Sequence, residues 1–356
     1  MKFWMATLGL FKILDAHMRS SVMTKLTQFI KLFDPVALSD RRETLSKDVL
    51  NQSANLFKKL PDVRIRVKLT RERLAEIEAH LRQKFPSFNE ATDAIFNELM
   101  ISLHSSSKGV YFWPILLLGP PGTGKTHYAR ELSELLGLGF EKVDLAATTA
   151  GMVLVGTSSQ WGNSKPGLVA SHLLQNRIAN FVLFLDEIDK ADNKFINGGN
   201  VNNSLLTLLE PETAKEFQDE FVQVPMDASN ICIILTANEE KNIDEPILSR
   251  LKKVRVSEPT LEQLRQIAPF ALENIIKHLE VDNLMISTLD SEALDALQMN
   301  KVNVRQLNEV LREAIGLCLK EKSTQLSASH IRISIERTLG ITVPPEAKPK
   351  STKKLH

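Results

Sequence analysis

A glycine-rich stretch in the first half of the sequence has the clearest chemical signature in the chain. Gly119 to Thr126 reads G-P-P-G-T-G-K-T and fits the pattern G-x-x-x-x-G-K-[ST] between an apolar run and a helical one. Its glycines let successive N–H groups point at phosphate oxygens, and the next helix adds its positive N-terminal end. This predicts a site for ATP, formed by Gly119, Pro120, Pro121, Gly122, Thr123, Gly124, Lys125, Thr126 and His127. Lys125 is the cation for the outer phosphates, and Thr126 offers a hydroxyl to Mg²⁺.

Two adjacent carboxylates follow the apolar run Phe181–Leu185, which reads as a buried strand. Beside a phosphate loop, Asp186 would hold Mg²⁺, mostly through water. Glu187 would orient and polarise the attacking water as a general base, because water is a poor nucleophile at neutral pH. The alternative is a strand that ends in an ordinary charged turn. The glycine-rich loop upstream favours the catalytic interpretation.

Three further polar residues are candidates for the same site, although the residues alone do not distinguish the two arginines from the others in the chain. Asn238 follows the apolar stretch Ile231–Thr236, and its neutral amide can hold the attacking water or the γ-phosphate. Arg250 precedes the last apolar run of the same region, and Arg305 begins a later helical segment. An arginine near the γ-phosphate stabilises the charge of the transition state. A turn asparagine and two solvated surface arginines are the alternatives.

The elements around these residues predict an α/β fold. Short apolar strands alternate with helical stretches, which implies a parallel sheet with helices on both faces. The chemical residues follow the strands, at the edge where such sheets bind ligands. The predicted strands are Ile115–Leu118, Phe140–Leu145, Phe181–Leu185, Ile231–Thr236 and Lys253–Val256.

The flanking regions differ from this core. Residues 1–85 are predicted to be helical, with Asp34-Pro35 as a break and no catalytic constellation, which suits a docking or adaptor segment. Residues 86–258 form the nucleotide-binding domain. Residues 259–340 are predicted to be a helical domain that starts with a Thr260–Gln263 capping box and ends at Gly340. Residues 341–356 are rich in proline and lysine and are expected to be a solvated tail.

The composition bounds the class of protein. The chain has 356 residues, 43% of them hydrophobic, and a formal net charge of +1, so it is globular and not a basic nucleic-acid binder as a whole. Two cysteines, Cys232 and Cys318, fit buried thiols in a reducing compartment. Since no apolar run is long enough to cross a bilayer and the phosphate loop needs ATP, we expect a cytoplasmic protein.

Taken together in this order and spacing, the motifs resemble those of AAA+ ATPases. More narrowly, they resemble the ATPase module of the Lon protease family over roughly residues 86 to 340. The phosphate loop and the acidic strand are generic to the superfamily. The resemblance includes Leu205-Leu206-Thr207-Leu208-Leu209-Glu210-Pro211-Glu212 and the segment from Phe217 to Pro225. The stretch Leu-Leu-Glu-Pro-Glu is what indicates the Lon-like branch.

The resemblance implies roles that the residues alone do not settle. It makes Arg250 the arginine finger that acts on a neighbour's nucleotide, and Arg305 the second sensor on a helical lid domain. It also implies a homo-oligomeric ring, with a hexamer as the family expectation. Trp161 falls where the family carries the aromatic residue that grips protein substrates in the channel. An indole folded onto its own domain is an even alternative.

The resemblance leaves the biological role open. Lon proteases continue into a proteolytic domain with a Ser–Lys pair, whereas this sequence stops at His356 and contains no H-E-x-x-H motif. We therefore expect an ATPase that is not itself a protease. The leading hypothesis is an ATP-driven, ring-forming remodeller of an unknown protein substrate. A nucleic-acid-associated loader and a nucleotide-gated scaffold remain alternatives, and a separate partner could dock on residues 1–85.

Overall fold

The structure is a computed structural model that describes residues 27–45, 62–105, 109–147, 150–158, 164–191, 201–281, 286–299 and 302–340. Its contacts divide the chain into two compact units. The first contains the residues up to Arg82 together with Phe88–Pro121 and Lys125–Val256, and the second contains Gln83–Ser87, Gly122–Gly124 and the residues from Ser257 on. A search of the described helices finds none with the length and apolar character required to cross a membrane.

The first described elements are β1 (Thr27–Lys31), α1 (Pro35–Thr44), β2 (Val63–Val67), α2 (Arg71–Lys84) and α3 (Asn89–His104). The two strands pair antiparallel, with Phe29 opposite Ile65. The prediction that residues 1–85 are helical is therefore wrong for both strands. The reason is that β2 alternates apolar and arginine residues with the period of a strand and provides the pairing partner that β1 needs. Over α2 the helical prediction is confirmed, because Leu74, Ile77 and Leu81 are buried.

The Asp34-Pro35 pair begins a helix where the sequence analysis predicted a break. The Asp34 carboxylate accepts a hydrogen bond from the Val36 N–H, and Pro35 is the first residue of α1. Proline is well tolerated at this position because the first N–H groups of a helix have no partner within the helix. The same dipeptide that ends one helix can therefore start another.

A five-stranded parallel sheet forms the centre of the first unit, with strand order β4-β5-β8-β3-β9. All five strands predicted from the sequence are present, each boundary within one residue of the expectation. The elements in chain order are β3 (Ile115–Leu118), α4 (Lys125–Leu136), β4 (Gly139–Asp144), α5 (Ala150–Val155), α6 (Leu168–Gln175), β5 (Phe181–Asp186), α7 (Val201–Leu209), α8 (Pro211–Ala214), β6 (Phe217–Gln218), β7 (Pro225–Met226), β8 (Cys232–Ala237), α9 (Glu245–Leu248) and β9 (Lys252–Arg255).

Burial explains why the three central strands β3, β5 and β8 could be predicted from the sequence. All residues of β3 and β8 are buried, and in β5 only the terminal Asp186 is partly exposed. Strands covered on both faces carry continuous apolar runs instead of an alternating pattern. The α/β fold class is thus confirmed, and the polar residues that follow the strands lie at one edge of the sheet.

The second unit is helical, with elements α10 (Leu261–His278), β10 (Ile286–Leu289), α11 (Ser291–Met299), α12 (Val304–Lys320), β11 (Gln325–Leu326) and α13 (Ala328–Leu339). The predicted capping box of Thr260 and Gln263 is confirmed by reciprocal side-chain hydrogen bonds. Gly340 ends α13 in the left-handed conformation at φ 66°, also as predicted. The short parallel pair β10–β11 was not predicted. Cys318 here and Cys232 in β8 are both buried free thiols, as expected.

Candidate functional site

The loop from Gly119 to Thr126 connects β3 to α4, and its backbone needs glycine at particular positions. Gly122 and Gly124 adopt φ values of 83° and 98°, in the left-handed region that favours glycine. A Cβ added to Gly119 would lie 2.1 Å from the carbonyl oxygen of Val256, so this position has no room for a side chain. Since Gly119 N–H also donates to Ala237 O at 3.1 Å, the loop begins beside the end of β8.

Lys125 is the first residue of α4, and its ammonium group lies inside the curve of the loop. Its Nζ donates to the carbonyl oxygens of Gly119 at 2.7 Å and Pro120 at 2.9 Å. Partial burial lowers the pKa of Lys125, while the nearby carboxylates of Asp186, Asp189 and Glu187 act to raise it. The cation is therefore held between the loop and the acidic ends of the sheet.

The other side chains of the loop, and those at the start of α4, differ in their exposure to solvent. Thr126 follows Lys125 in the first turn of α4 and is partly exposed. Thr123 is buried, whereas Pro120, Pro121 and His127 are exposed. The Thr126 hydroxyl thus sits at a helix N-terminus, one residue after the cation, where a metal bound to phosphates would need it.

The two predicted carboxylates lie at the end of β5 and are held by neighbouring strands. Asp186 Oδ1 accepts a hydrogen bond from Thr236 Oγ1 at 2.5 Å, and its Oδ2 forms an ion pair with Lys142 Nζ at 2.6 Å. Glu187 has a positive φ of 58°, which is uncommon for a residue with a side chain. Such strained positions are often found in functional sites.

Glu187 is positioned through both its backbone and its side chain. Its N–H donates to Thr236 Oγ1 at 3.0 Å, and its carboxylate pairs with Lys190 Nζ at 2.6 Å. One buried hydroxyl on β8 therefore contacts both members of the acidic pair on β5. Sequence reasoning missed this role of Thr236, although its place two residues before Asn238 is a usable signal.

Asn238 lies just beyond the end of β8, and its backbone is tied to the acidic turn. Its N–H donates to Asp189 Oδ2 at 3.0 Å, and the N–H of Glu239 donates to the same oxygen at 3.3 Å. Asp189 belongs to the short 3₁₀ turn Ile188–Lys190 that follows Glu187. The structure thus brings the predicted residues Asn238, Asp186 and Glu187 to one edge of the sheet.

Arg250 lies between α9 and β9, at the edge strand of the sheet. Its Nε and Nη2 are 2.8 Å and 2.7 Å from Glu210 Oε1, and its Nη1 donates to Pro246 O at 2.6 Å. The indole Nε1 of Trp113 donates to the Arg250 carbonyl oxygen at 3.0 Å. Arg250 is therefore an organised arginine rather than a loose surface one, and the sequence analysis did not foresee the roles of Glu210 and Trp113.

Arg305 lies in the first turn of α12, which is capped by Asn303 and Gln306. Its Nε is 3.7 Å from Glu309 Oε1, and its side chain is 79% exposed. Gly122 and Arg305 belong to the same compact unit, and a Cβ added to Gly122 would lie 3.4 Å from that of Arg305. The role of Arg305 as a second sensor stays a prediction.

Trp161 lies outside the described residues, but the chain on either side of it is described. Thr157 and Lys165 are joined by backbone and side-chain hydrogen bonds of 3.0 Å. Asp219 accepts hydrogen bonds from the N–H groups of Gly167, Phe221 and Val222. Burial raises the pKa of Asp219 to about 6 against the lowering effect of these bonds. The predicted channel role of Trp161 remains a prediction.

The residues present fit a nucleotide with its metal ion. The loop offers N–H groups and a cation to phosphates, and Thr126 and Asp186 are oxygen donors of the kind that Mg²⁺ prefers. Asp189 Oδ1 is buried and has no hydrogen-bond partner among the described residues, although a buried polar atom normally has one. Within the described parts of the chain, no cluster of three or more His, Cys, Asp or Glu suggests a metal site made of protein ligands alone.

Comparison with known proteins identifies the class. Residues 115–258 match the model of the family described as "ATPase family associated with various cellular activities (AAA)". The match spans the whole parallel sheet, the phosphate loop, Asp186, Glu187, Asn238 and Arg250. The predicted resemblance to AAA+ ATPases is thus confirmed over residues 115–258.

The curated relatives narrow the resemblance to the Lon branch. Lon protease 2 of Borreliella burgdorferi is 30% identical over 263 residues, which cover 72% of this chain and 32% of that protein. Lon protease of Malacoplasma penetrans is 28% identical over 267 residues, which cover 73% of this chain and 33% of that protein. The resemblance of this module to the ATPase module of Lon proteases is thus confirmed. The chain spans about a third of the length of these relatives.

Solved structures support the fold. A structure of S. cerevisiae Hsp104 with casein, in an extended conformation, aligns with a TM-score of 0.57 at 20% identity, covering 71% of this chain and 49% of that chain. A closed-state structure of Hsp104 with ATPγS and FITC-casein aligns with a TM-score of 0.56 at 18% identity, covering 73% and 52%. At these identities the likeness concerns the fold alone.

Proposed function

We propose that this chain binds and hydrolyses ATP with Mg²⁺ and works within a ring that remodels protein substrates. The observation that carries the proposal is that Lys125, Asp186 and Glu187 lie close together at the carboxyl ends of the central strands. They lie beside a glycine-rich loop whose N–H groups suit phosphates. The match to the AAA family over residues 115–258 supports the proposed binding and hydrolysis of ATP. The Lon relatives support a role in protein handling.

In this mechanism the loop N–H groups and Lys125 bind and orient the phosphates. Thr126 and Asp186 would hold Mg²⁺, which when bound supplies positive charge that stabilises the transferring phosphoryl group. Glu187 accepts a proton from the attacking water at its carboxylate, and Asn238 orients that water. Thr236 and Lys142 keep the Asp186 carboxylate in place through its two oxygens.

The first experiment separates binding from hydrolysis. Lys125→Ala should lose ATP binding because it removes the main cation that faces the phosphates. Glu187→Gln should bind ATP normally but hydrolyse it about 10²–10⁴-fold more slowly, because it keeps the shape and removes the base. Titration with a fluorescent ATP analogue and steady-state phosphate release measure the two effects. At about 100 Kd, Mg·ATP should stabilise Glu187→Gln against unfolding by about 2.7 kcal/mol and leave Lys125→Ala unchanged.

Matched controls come from an exposed ion pair elsewhere in the first unit. Lys215 and Glu212 lie 3.0 Å apart on the surface, with exposed fractions of 50% and 85%. Lys215→Ala and Glu212→Gln remove the same kinds of charge and should behave as the parent. Equal loss of ATP binding in Lys125→Ala and Glu187→Gln would contradict the separate roles assigned to them.

The remodelling role needs its own measurement, because the site alone supports only nucleotide chemistry. Stimulation of ATP hydrolysis by an unfolded protein would support it. Stimulation by DNA would favour a loader, and no stimulation with slow turnover would favour a nucleotide-gated scaffold. The oligomeric state should be determined from the molecular mass of the Glu187→Gln variant in the presence of ATP. We expect the mass of a hexamer.

A further inference from the structure

Within the part of the chain that the structure describes, Glu210 provides the carboxylate that contacts Arg250. It is the residue that joins α7 to α8, and its Oε1 lies 2.8 Å from Nε and 2.7 Å from Nη2 of Arg250. The Thr213 hydroxyl donates to the Glu210 carbonyl oxygen at 3.1 Å, and α8 begins at the following proline. The carboxylate is therefore presented from a fixed turn and not from a flexible surface chain.

Among the described residues, the contacts of Arg250 account for three of its five N–H donors. A guanidinium has five N–H donors: one on Nε and two on each terminal nitrogen. The Nε donor and one Nη2 donor face Glu210, and one Nη1 donor faces the Pro246 carbonyl oxygen. With the described residues alone as partners, one donor remains on Nη1 and one on Nη2, and both can donate to the oxygens of a phosphate group.

The same contacts fix the plane of the guanidinium. All three of its nitrogens have a partner within the chain, and the backbone behind it is held by the Trp113 indole N–H at 3.0 Å. The Arg250 side chain is 29% exposed, so it is accessible at the edge of the sheet. A long side chain that is already ordered pays little entropy when it meets its ligand.

We propose that Glu210 is a positioning residue for Arg250, orienting its two remaining donors toward the γ-phosphate of a nucleotide bound to a neighbouring copy of this chain. The inference deepens the proposed function and rests on it. In this proposal Glu210 acts only through Arg250 and is assigned no contact with the nucleotide or the attacking water. Its removal should lower turnover and leave the affinity for ATP unchanged, since ATP binds to another loop.

The test compares Glu210→Ala, Glu210→Gln and the matched control Glu212→Ala. Glu212 lies two residues further on, is 85% exposed and pairs with Lys215. Glu210→Ala should reduce kcat by about 10²-fold, the size of loss expected when a catalytic group is displaced by about 1 Å. Glu210→Gln keeps an oxygen acceptor and should retain more of the activity than Glu210→Ala. Glu212→Ala should match the parent, and all three should bind ATP normally.

A double-mutant cycle separates positioning from general damage to the fold. In an Arg250→Ala background, Glu210→Ala should change kcat by less than about 2-fold, because residues that act as a unit are not additive. An additive loss, or a loss of ATP affinity in Glu210→Ala alone, would overturn the inference. So would a rise in kcat, which would mean that Glu210 restrains Arg250.

The outcomes also separate this inference from the proposed function. If Arg250→Ala is nearly inactive while Glu210→Ala equals the parent, the finger role survives and the role of Glu210 is wrong. If Arg250→Ala equals the parent, both are wrong. Absence of ATP binding by the parent protein would overturn the proposed function itself.

Discussion

The centre and the edge of the parallel sheet hold their polar side chains in different ways. At the ends of β5 and β8, the Thr236 side chain is buried and binds both Asp186 and Glu187. Asp189 accepts hydrogen bonds from two backbone N–H groups just beyond the end of β8. Near the edge strand β9, Arg250 is partly exposed, and the exposed Trp113 donates to its carbonyl oxygen.

This difference shows which functions each region can complete alone. The central residues are connected to one another across neighbouring strands, so the residues proposed to bind nucleotide and activate water are held together within one chain. Arg250 near the edge strand keeps two N–H donors for which the described part of the chain offers no partner. We therefore expect defects at the centre to stay within one subunit and defects at the edge to affect the neighbouring one.

The largest expected effect at the edge comes from Arg250→Ala. This variant should bind ATP as the parent does, and its turnover should fall by about 10³-fold or more, which is the lower range for loss of an arginine finger. Mixed with Lys125→Ala, which has an intact Arg250 but cannot bind ATP, it should recover part of the activity. Such recovery requires interfaces that pair an intact loop with an intact arginine.

Subunit exchange must be shown first, for example by energy transfer between differently labelled copies. Once exchange is established, absence of recovery on mixing would contradict the difference between centre and edge. Turnover per chain that does not depend on protein concentration would also contradict this difference, because a site completed by one chain needs no neighbour.

The site residues that could be predicted from the sequence are those that belong to a local sequence motif. Lys125, Asp186 and Glu187 belong to contiguous motifs, and the strands before them are apolar runs that burial on both faces requires. The strands β1 and β2 were missed for the opposite reason. Each is short, and strand pairing here depends on a partner more than 30 residues away, as in Thr27 opposite Val67.

The supporting residues could not be assigned from the sequence, because their roles depend on which strands become neighbours. Thr236 reaches the acidic pair only because β5 lies next to β8. Glu210 was visible as part of a Lon-like motif, but its link to Arg250, 40 residues later, appears only in the folded chain. Tertiary neighbours therefore decide the positions of residues that carry no motif of their own.

An intermediate effect is expected at the centre from Thr236→Val, which keeps the shape of the side chain and removes its hydroxyl. Asp186 Oδ1 and the Glu187 N–H both lose their partner, so we expect turnover to fall by about 10-fold to 10²-fold, on the order of 1.4–2.7 kcal/mol of transition-state stabilisation. ATP affinity should change little because Lys125 and the loop are untouched. Steady-state kinetics that separate kcat from KM provide the measurement.

Thr236→Ser is the matched variant, since it restores the hydroxyl and should recover most of the turnover. Arg250→Ala can be mixed either with Thr236→Val or with Lys125→Ala, and the recovered turnover compared. A smaller recovery with Thr236→Val would mean that its defect extends to the interface between subunits. Equal partial rescue is the expected result for a defect confined to the centre. Failure of Thr236→Ser to recover turnover would show that packing at this position, and not the hydroxyl, is what matters.

The smallest effect should come from Trp113→Phe at the edge. The change keeps an aromatic ring and removes the indole N–H that donates to the Arg250 carbonyl oxygen at 3.0 Å. A neutral hydrogen bond contributes about 0.5–1.5 kcal/mol, so turnover should fall by about 2-fold to 10-fold with unchanged ATP affinity. In an Arg250→Ala background the same change should have almost no effect on turnover, because the backbone at position 250 then positions no guanidinium. If Trp113→Phe instead weakens ATP binding, or lowers turnover equally with and without Arg250, the indole supports the fold of β3 and its neighbours, and the edge is less specialised than its contacts indicate.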